Sequence, residues 1–300
     1  MRRRVLLAVV AAAVFTTGAC SQGERKQLAD ALTRSVKLAD DQVYAGQMVV
    51  ALRPRNVSGG PEQQQQVRGG TLGQLAVTLD RSKRRAALSP TPGAPPIVLF
   101  DAGTAVYARR VTRSEYDRRK WARLDYARLP DFDVPSLREL GQASGPGDIA
   151  VIDPVFLTDL LRGVLTGSVE LVRTAKDGSR LLTFNTSIDK AERKIRIDEA
   201  DRKERAKLLR SLAITGDVHK GEAILKADGT VSSLRILLTE RPDKRTAIDL
   251  EATLTLVPLT AEDRVPALAP PSRDVTVRVP ALAALKGTIR EQLIALGGRL

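Results

Sequence analysis

The segment Ala247–Val257 reads Ala-Ile-Asp-Leu-Glu-Ala-Thr-Leu-Thr-Leu-Val, and this stretch decides the fold. Apolar residues at even positions from 248 to 256 alternate with polar residues at the odd positions between them. Successive side chains of a strand point to opposite faces of its sheet, so this strand has one apolar and one polar face. Such alternation is typical of an antiparallel sheet that packs one face on a core and exposes the other to water.

Two Asp-Gly dipeptides indicate that the sheet also contains strands from earlier in the chain. They lie at residues 177–178 and 228–229, each between two strand-like runs. Both residue types tolerate positive φ, so Asp-Gly between strands is a strong hairpin signal. The predicted pairs of strands are Ser168–Thr174 with Arg180–Ile188 and Val218–Lys226 with Val231–Glu240. With residues 247–257, the second pair forms a three-stranded meander.

The first half of the chain predicts a helix followed by more strands. Apolar residues spaced by one, three or four positions give Glu24–Leu38 a helical stripe. The predicted strands that follow are Val43–Arg53, Gly70–Asp80, Arg85–Ser89, Ile97–Ala102, Thr104–Val111 and Lys120–Tyr126. Strands that follow strands favour an antiparallel sheet. Asp153-Pro154 predicts a short helix, since Asp can cap it and Pro suits its first position. The fold class is therefore α+β in one domain.

Several segments fall between these elements. Pro54–Gly69 contains four consecutive glutamines and is predicted to be a long loop, either a rim over a pocket or a tolerated insertion. Pro130–Pro154 is interpreted as a connection. The charged run Asp189–Asp217 predicts a surface helix around residues 206–212. Beyond residue 257 a Pro-rich crossing segment contains the extended run Val275–Val279, and a final helix is predicted at residues 281–296.

The first twenty residues have the three parts of an export signal. Three arginines at positions 2–4 precede an apolar run, Val5–Phe15, and small residues then lead to Cys20. The run is shorter than the roughly 20 residues that a spanning helix needs. Small residues ending on cysteine resemble the lipobox of bacterial lipoproteins, in which the chain is cut before an acylated cysteine. We therefore expect a signal peptide at residues 1–19, acylation of Cys20 with palmitate or a similar chain, and a lipidated tether at residues 20–23. The alternative is a buried N-terminal helix with an ordinary cysteine.

Composition limits the partners. Cys20 is the only cysteine, so an intramolecular disulfide or a cysteine metal site cannot form. Removal of residues 1–19 takes three arginines and leaves 45 basic against 35 acidic side chains. Export and an aromatic content of 3% argue against nucleic acid as the partner. The positive charge is either a solvated surface or an attraction to anionic headgroups beside the anchor. The expected location is the extracytoplasmic side of the cell membrane.

Catalytic motifs are absent from the sequence. It contains no Gly-x-Ser-x-Gly elbow, His-Glu-x-x-His helix, Gly-x-Gly-x-x-Gly turn or phosphate loop. His219 is the only histidine and lies on a predicted strand, which favours a structural role over metal binding. Trp121, the only tryptophan, is predicted to be an anchor in the core or at its rim. We expect no enzyme activity, no metal and no cofactor.

The order of these features resembles a known family. The lipobox, the amphipathic helix before the strands, the segment Trp121-Ala122-Arg123-Leu124, the hairpin of residues 167–188 and Asp189-Lys190-Ala191 before the meander are similar to the actinobacterial LppX/LprA/LprF/LprG-type lipoproteins of the LolA-like superfamily. The resemblance covers residues 24–260. It implies a strongly curved antiparallel sheet, a half-barrel, with helices packed on its concave face and an apolar cavity for acyl chains between them. The Pro-rich segment and C-terminal helix, residues 261–300, lie beyond it.

The resemblance also implies a function. The family is associated with binding lipids or lipoglycans and moving them across the cell envelope, by hand-over to partners that the sequence does not identify. Acyl chains would enter because each buried methylene contributes about 0.8 kcal/mol. The inward members of the alternating strands are the cavity candidates: Val50, Leu52, Leu75, Val77, Leu79, Leu182, Phe184, Leu234, Ile236, Leu238, Leu250, Leu254 and Leu256. The alternative is a non-catalytic envelope scaffold whose core is filled.

Overall fold

A computed structural model of the chain describes residues 21–56, 70–101, 105–109, 121–125, 153–195, 216–240, 246–260, 263 and 268–278. Several expectations lie outside these residues. They are the signal peptide with Cys20, most of the 54–69 loop, most of the 130–154 connection, the helix at 206–212 and the helix at 281–296.

Strands make up most of the described chain. They are β1 (Val43–Asn56), β2 (Gly70–Asp80), β3 (Arg85–Ser89), β4 (Val98–Asp101), β5 (Ala105–Arg109), β6 (Trp121–Asp125), β7 (Glu170–Thr174), β8 (Arg180–Ser187), β9 (Val218–Leu225), β10 (Val231–Glu240), β11 (Thr246–Pro258) and β12 (Thr276–Arg278). The bounds of β2, β3 and β10 are those predicted from the sequence. The others differ from the prediction by a few residues at one or both ends.

Within the described ranges, three α-helices accompany the strands: α1 (Gln22–Ala39), α2 (Pro154–Asp159) and α3 (Ile188–Lys194). α1 begins two residues before its predicted start, within the expected 20–23 tether. The cause is a capping box: Glu24 N donates to Ser21 Oγ at 3.2 Å, and Ser21 N donates to Glu24 Oε2 at 2.7 Å. A 3₁₀ turn, Leu160–Gly163, continues α2, and a second one, Thr166–Ser168, delays the start of β7.

The strands form one open sheet, in the order β12-β6-β5-β4-β3-β2-β1-β11-β10-β9-β8-β7. All neighbours are antiparallel except β12 and β6, which run parallel. The antiparallel pair of β1 and β11 joins the two halves of the chain, with register from Tyr44↔Pro258 to Asn56↔Thr246. The described part is therefore a β-rich α+β fold, as expected. Residues 276–278, predicted only to be extended, join the sheet at its edge.

The two faces of the sheet differ. One face, here called the inner face, carries the main apolar cluster and packs against all three helices. A smaller cluster lies on the opposite, outer face of β3–β5, where Ala87, Leu99 and Tyr107 pack with Leu268. The partly buried Trp121 packs against this second cluster. Residues from the Pro-rich segment therefore cover part of the outer face, which the sequence did not predict.

Candidate functional site

The inner face holds the candidate cavity residues. Eleven of the thirteen have described side chains, and all eleven belong to one buried cluster with exposed fractions of 0 to 6%. The side chains of Leu52 and Leu250 lie outside the description, but the two backbones pair with each other. Alternation along the strands therefore predicted correctly which residues share a face.

Residues of the three helices pack against the strand residues of this cluster. α1 contributes Leu28, Leu32 and Val36, which are spaced by four residues and form one stripe. Every residue of α2 is buried, and α3 adds Ile188. With the nine strands β1–β5 and β8–β11, the three helices enclose one continuous apolar layer.

The layer is closely packed at the eleven candidate positions. A side chain that borders a water-sized void exposes surface to that void, yet Leu79, Leu182 and Leu254 expose none of theirs. Burial of this kind is common to a filled core and to an apolar site in its closed state. The cavity therefore stays a prediction, and an acyl chain would have to displace side chains or helices to enter.

A buried ion-pair cluster fixes the end of α2. Arg81, in the turn after β2, donates to Asp159 and to Asp40, at 3.0 Å in each case. Arg84 donates to the other oxygen of Asp159 at 2.8 Å, and Arg162 donates to both oxygens of Asp40 at 2.6 and 2.7 Å. The cluster links three segments that are far apart in sequence: the junction of α1 and β1, the turn between β2 and β3, and the end of α2.

Electrostatics keep Arg81 charged. Its side chain is only 2% exposed, and this burial would lower its pKa. Asp159 and Asp40 oppose burial and hold the pKa of Arg81 above its ordinary value. A charge so deeply buried is tolerated only with such partners, so the cluster is a structural element that positions α2 on the sheet.

The helical segment, residues 153–165, contains α2 and the 3₁₀ turn that continues it. Its C-terminal end is attached to β8. Val164 forms a β-bridge with Thr186, and Leu165 N donates to the carbonyl of Asn185 at 2.9 Å. The hydroxyl of Thr186 donates to the carbonyl of Leu160. Gly163 lies so close to the Ser187 carbonyl that a Cβ atom there would collide with it. The helical segment thus crosses the inner face from the turn after β2 to the C-terminal end of β8.

His219 lies beside this attachment. It is directly opposite Thr186 in the pair of β8 and β9, and it is only 4% exposed. Its ring hydrogen-bonds to the backbone of Gly216, while Nε2 has no hydrogen-bond partner among the described residues. Burial lowers the pKa of His219, against the opposing effects of the Gly216 hydrogen bond and the Asp217 charge. The imidazole is therefore neutral at physiological pH.

A separate, polar groove lies on the outer face. Its volume is about 470 Å³, and its walls are Ser168, Glu170, Thr183, Phe184, Asn185, Lys220, Gly221, Glu222, Arg235 and Leu237. Arg235 donates to Glu251 at 2.8 Å and to Glu222 at 3.1 Å, and the hydrogen bond to Glu251 is the main cause that raises its pKa. This groove is not the apolar cavity that the sequence predicted.

Sequence reasoning missed two parts of this arrangement. Arg81 and Asp159 are 78 residues apart, and no local pattern links them. The inward position of His219 did carry a signal, because it shares a strand face with Gly221 and Leu225.

Across the described ranges, no three His, Cys, Asp or Glu side chains are grouped as metal ligands would be. None of the helices described here combines the length and the apolarity needed to cross a bilayer.

The described fold defines a class, a mostly antiparallel open sheet with a few helices on one face. No protein-family model matches the chain, and no curated protein matches it. Among solved structures, the chain is similar to one described as "Lipid-protein interactions in lipovitellin", with a TM-score of 0.29 and 10% identity. The match covers 76% of this chain and 26% of the lipovitellin chain. A TM-score this low does not establish a shared fold.

Proposed function

We propose that this chain is a lipid-anchored protein on the extracytoplasmic side of a cell membrane that binds a lipid or acylated glycolipid between its sheet and its helices. One observation carries the proposal: nine strands and three helices share a single apolar layer, and the eleven described candidate residues all belong to it. Binding would need no chemistry, because apolar burial alone favours an acyl chain.

α1 runs diagonally across five strands of the sheet. Ala51, Glu251, Leu237, Lys220 and Asn185 lie in one row across β1, β11, β10, β9 and β8. The row spans four strand spacings, about 19 Å, and nine residues along β1 lead from Ala51 back to residue 42, about 30 Å. In a flat sheet, residue 42 and Asn185 would therefore be about 35 Å apart.

α1 joins these two regions. Its C-terminal end leads into β1, and near its other end Arg25 donates to the carbonyl of Gly167 at 3.1 Å, beside the strand that carries Asn185. Eighteen helical residues measure about 27 Å. With the Arg25 side chain added at one end and residues 40–42 at the other, α1 covers the diagonal across β1 and β8–β11.

The position of Cys20 supports an orientation at the membrane. α1 starts at Gln22, one residue beyond Ser21, so an acyl group on Cys20 would hold the N-terminal end of α1 at the bilayer surface. His219 and Thr186 lie at the same end of the sheet as this helix end. The apolar layer would therefore open towards the membrane, and hand-over of the lipid to an envelope partner would take place close to it.

A non-catalytic scaffold is the second candidate function. It accounts for the near-zero exposure of the inner-face side chains without any displacement of side chains or helices, which a bound lipid would require. In that case the basic surface, rather than the interior, would engage other components of the envelope.

Extraction of the purified protein distinguishes the two functions. Residues 21–300, without the acylated cysteine, are produced in a lipid-containing host, purified without detergent, extracted with organic solvent and analysed by mass spectrometry. Co-purified lipid in near-stoichiometric amount is expected for the binder. Lipid-free protein that also takes up no added dioleoylglycerol or phosphatidylethanolamine would contradict the binder and favour the scaffold.

A matched pair of variants locates the site. Ala252→Leu adds bulk to the buried face of β11, and Thr253→Leu adds it to the outer face one residue further. Only the first should reduce co-purified lipid, provided that circular dichroism shows both variants folded. Equal loss from both variants would place the lipid elsewhere.

A further inference from the structure

An unusual polar group lies within the apolar inner face. His219, Gly221, Ala223 and Leu225 are the buried members of β9, so the imidazole of His219 points to the same side as the candidate cavity residues. Its cross-strand partner Thr186 is fully buried. The inner face is otherwise almost wholly apolar along β8–β10, which makes this pair its main polar feature among the described strands.

The hydrogen bonds around His219 define what it can bind. The ring nitrogen that bonds to Gly216 is Nδ1, because Nε2 has no partner among the described residues. Since the Gly216 carbonyl can only accept, Nδ1 carries the proton, and Nε2 of the neutral ring is then an acceptor. The hydroxyl of Thr186 does not donate to Nε2, because it donates to the carbonyl of Leu160.

The charged groups near His219 do not supply a hydrogen bond to its Nε2 in the described structure. Asp217 accepts hydrogen bonds from the hydroxyl of Ser187 and, at 2.7 Å, from the amide of Asp189. Lys190, on the helix that follows β8, donates to the carbonyl of Val164 at 2.8 Å. A buried acceptor without a partner is a net cost to the folded state, so its presence on a ligand-facing surface calls for a donor.

We propose that Nε2 of His219 accepts a hydrogen bond from the hydroxyl group of an uncharged lipid bound on the inner face. This inference rests on the proposed function and names its ligand class: a lipid with a free hydroxyl, such as a diacylglycerol or a hydroxylated acyl chain. A carboxylate or phosphate is disfavoured at this position while the imidazole is neutral, because an acceptor nitrogen repels an anion. The hydroxyl would lie at the end of the sheet near α1's start, and the acyl chains would follow β8–β10 past Leu182 and Leu234.

A pair of lipids that differ only in this hydroxyl tests the inference. The probes are 1,2-dioleoylglycerol and its 3-O-methyl ether, which keeps the acyl chains but cannot donate. Their affinities for residues 21–300 are measured by displacement of a fluorescent fatty acid. The unsubstituted protein should prefer the free alcohol by about tenfold, the order expected for one buried hydrogen bond. His219→Leu should abolish this preference, while Lys220→Leu, which changes the exposed neighbour, should retain it.

The outcomes separate this inference from the proposed function. Equal affinity for the two probes, or a preference that survives in His219→Leu, overturns the role of His219 and leaves lipid binding in place. Failure of both probes and of a fatty acid to bind overturns the proposed function itself. Because His219 is the only histidine, ¹⁵N NMR of labelled protein gives a second measurement that needs no variant. The Nε2 resonance should shift with dioleoylglycerol and not with the methyl ether, and the same shift with both probes contradicts the inference.

Discussion

Arg81 donates a hydrogen bond of 3.0 Å to Asp159, and both side chains are almost completely buried, with 2% and 1% exposed. The pair joins the turn after β2 to the end of α2, and Asp40 brings the end of α1 to the same point. Two of the three described helices are therefore fixed to the sheet by charge at one end and by apolar packing along their length. The energetic consequence is that removal of one partner leaves another charge buried without compensation.

Arg81→Met is expected to destabilise the protein by about 3–5 kcal/mol, the range found when one member of a buried ion pair is removed. The measurement is the free energy of unfolding from urea denaturation at neutral pH. Lys83→Met is the matched control, because Lys83 lies in the same turn and is 65% exposed in its 3.4 Å pair with Asp80. The control should cost less than about 1 kcal/mol. Equal effects of the two substitutions would show that the cluster does not hold α2 in place.

Gly163→Ala is expected to weaken the attachment of the helical segment to β8. A methyl group at this position would collide with the carbonyl of Ser187, so the backbone must shift, at a cost of about 1–3 kcal/mol. Gly167→Ala is the control, since a Cβ atom there meets nothing within 4 Å. Thermal unfolding followed by circular dichroism compares the two. A control as unstable as Gly163→Ala would point to a general effect of lost glycine flexibility instead of the contact with Ser187.

Local patterns predicted the parts of the fold that local physics determines. The alternation in β10 and β11 and the Asp-Gly turn between β9 and β10 gave the meander with bounds accurate to a few residues. The same alternation identified the inner face, because a strand with one apolar side has only one way to bury it. Asp153 caps α2 as expected, accepting from Val155 N at 2.8 Å.

These local patterns did not predict which strands pair across long distances in the sequence. β1 pairs with β11 across about two hundred residues, and any strand with an apolar face could have taken that place. β12 lies within the extended run predicted at Val275–Val279, but nothing in these residues indicated that the strand pairs in parallel with β6. The sequence likewise did not show how tightly the helices fill the inner face, since periodicity reports which side is apolar and not how much volume it encloses.

His219 should make stability depend on pH in the neutral to mildly acidic range. Burial lowers the pKa of His219 in the folded protein below its ordinary value of 6.5, the value for the unfolded chain. As the pH falls below 6.5, the unfolded state binds the proton first, so the free energy of unfolding decreases. Above 6.5 both states are neutral and the contribution is complete. Stability therefore rises with pH through this window.

Urea denaturation at about pH 7.5 and about pH 5.0 measures this contribution as the difference between the unsubstituted protein and His219→Leu. The variant should lose less stability on acidification, because it lacks the titrating group, while the carboxyl groups common to both proteins cancel. It should also be at least as stable at the higher pH, since it removes a buried nitrogen that lacks a partner in the described structure. An identical loss in the two proteins would mean that the imidazole titrates alike in the folded and unfolded states.

Cys20→Ser is expected to abolish acylation and signal cleavage while leaving the fold intact. The hydroxyl of serine does not replace the thiol as the acylated group, so radiolabelled palmitate should no longer be incorporated and the precursor should remain uncleaved. Because the uncleaved apolar segment Val5–Phe15 would still hold the precursor at the membrane, the measurements are palmitate labelling and signal cleavage. The control is Ser21→Ala, which keeps the thiol but removes the oxygen that caps α1, at a cost of about 1 kcal/mol. It should still incorporate palmitate. Unchanged labelling of Cys20→Ser would contradict the anchor, and with it the orientation that places the His219 end of the sheet next to the bilayer.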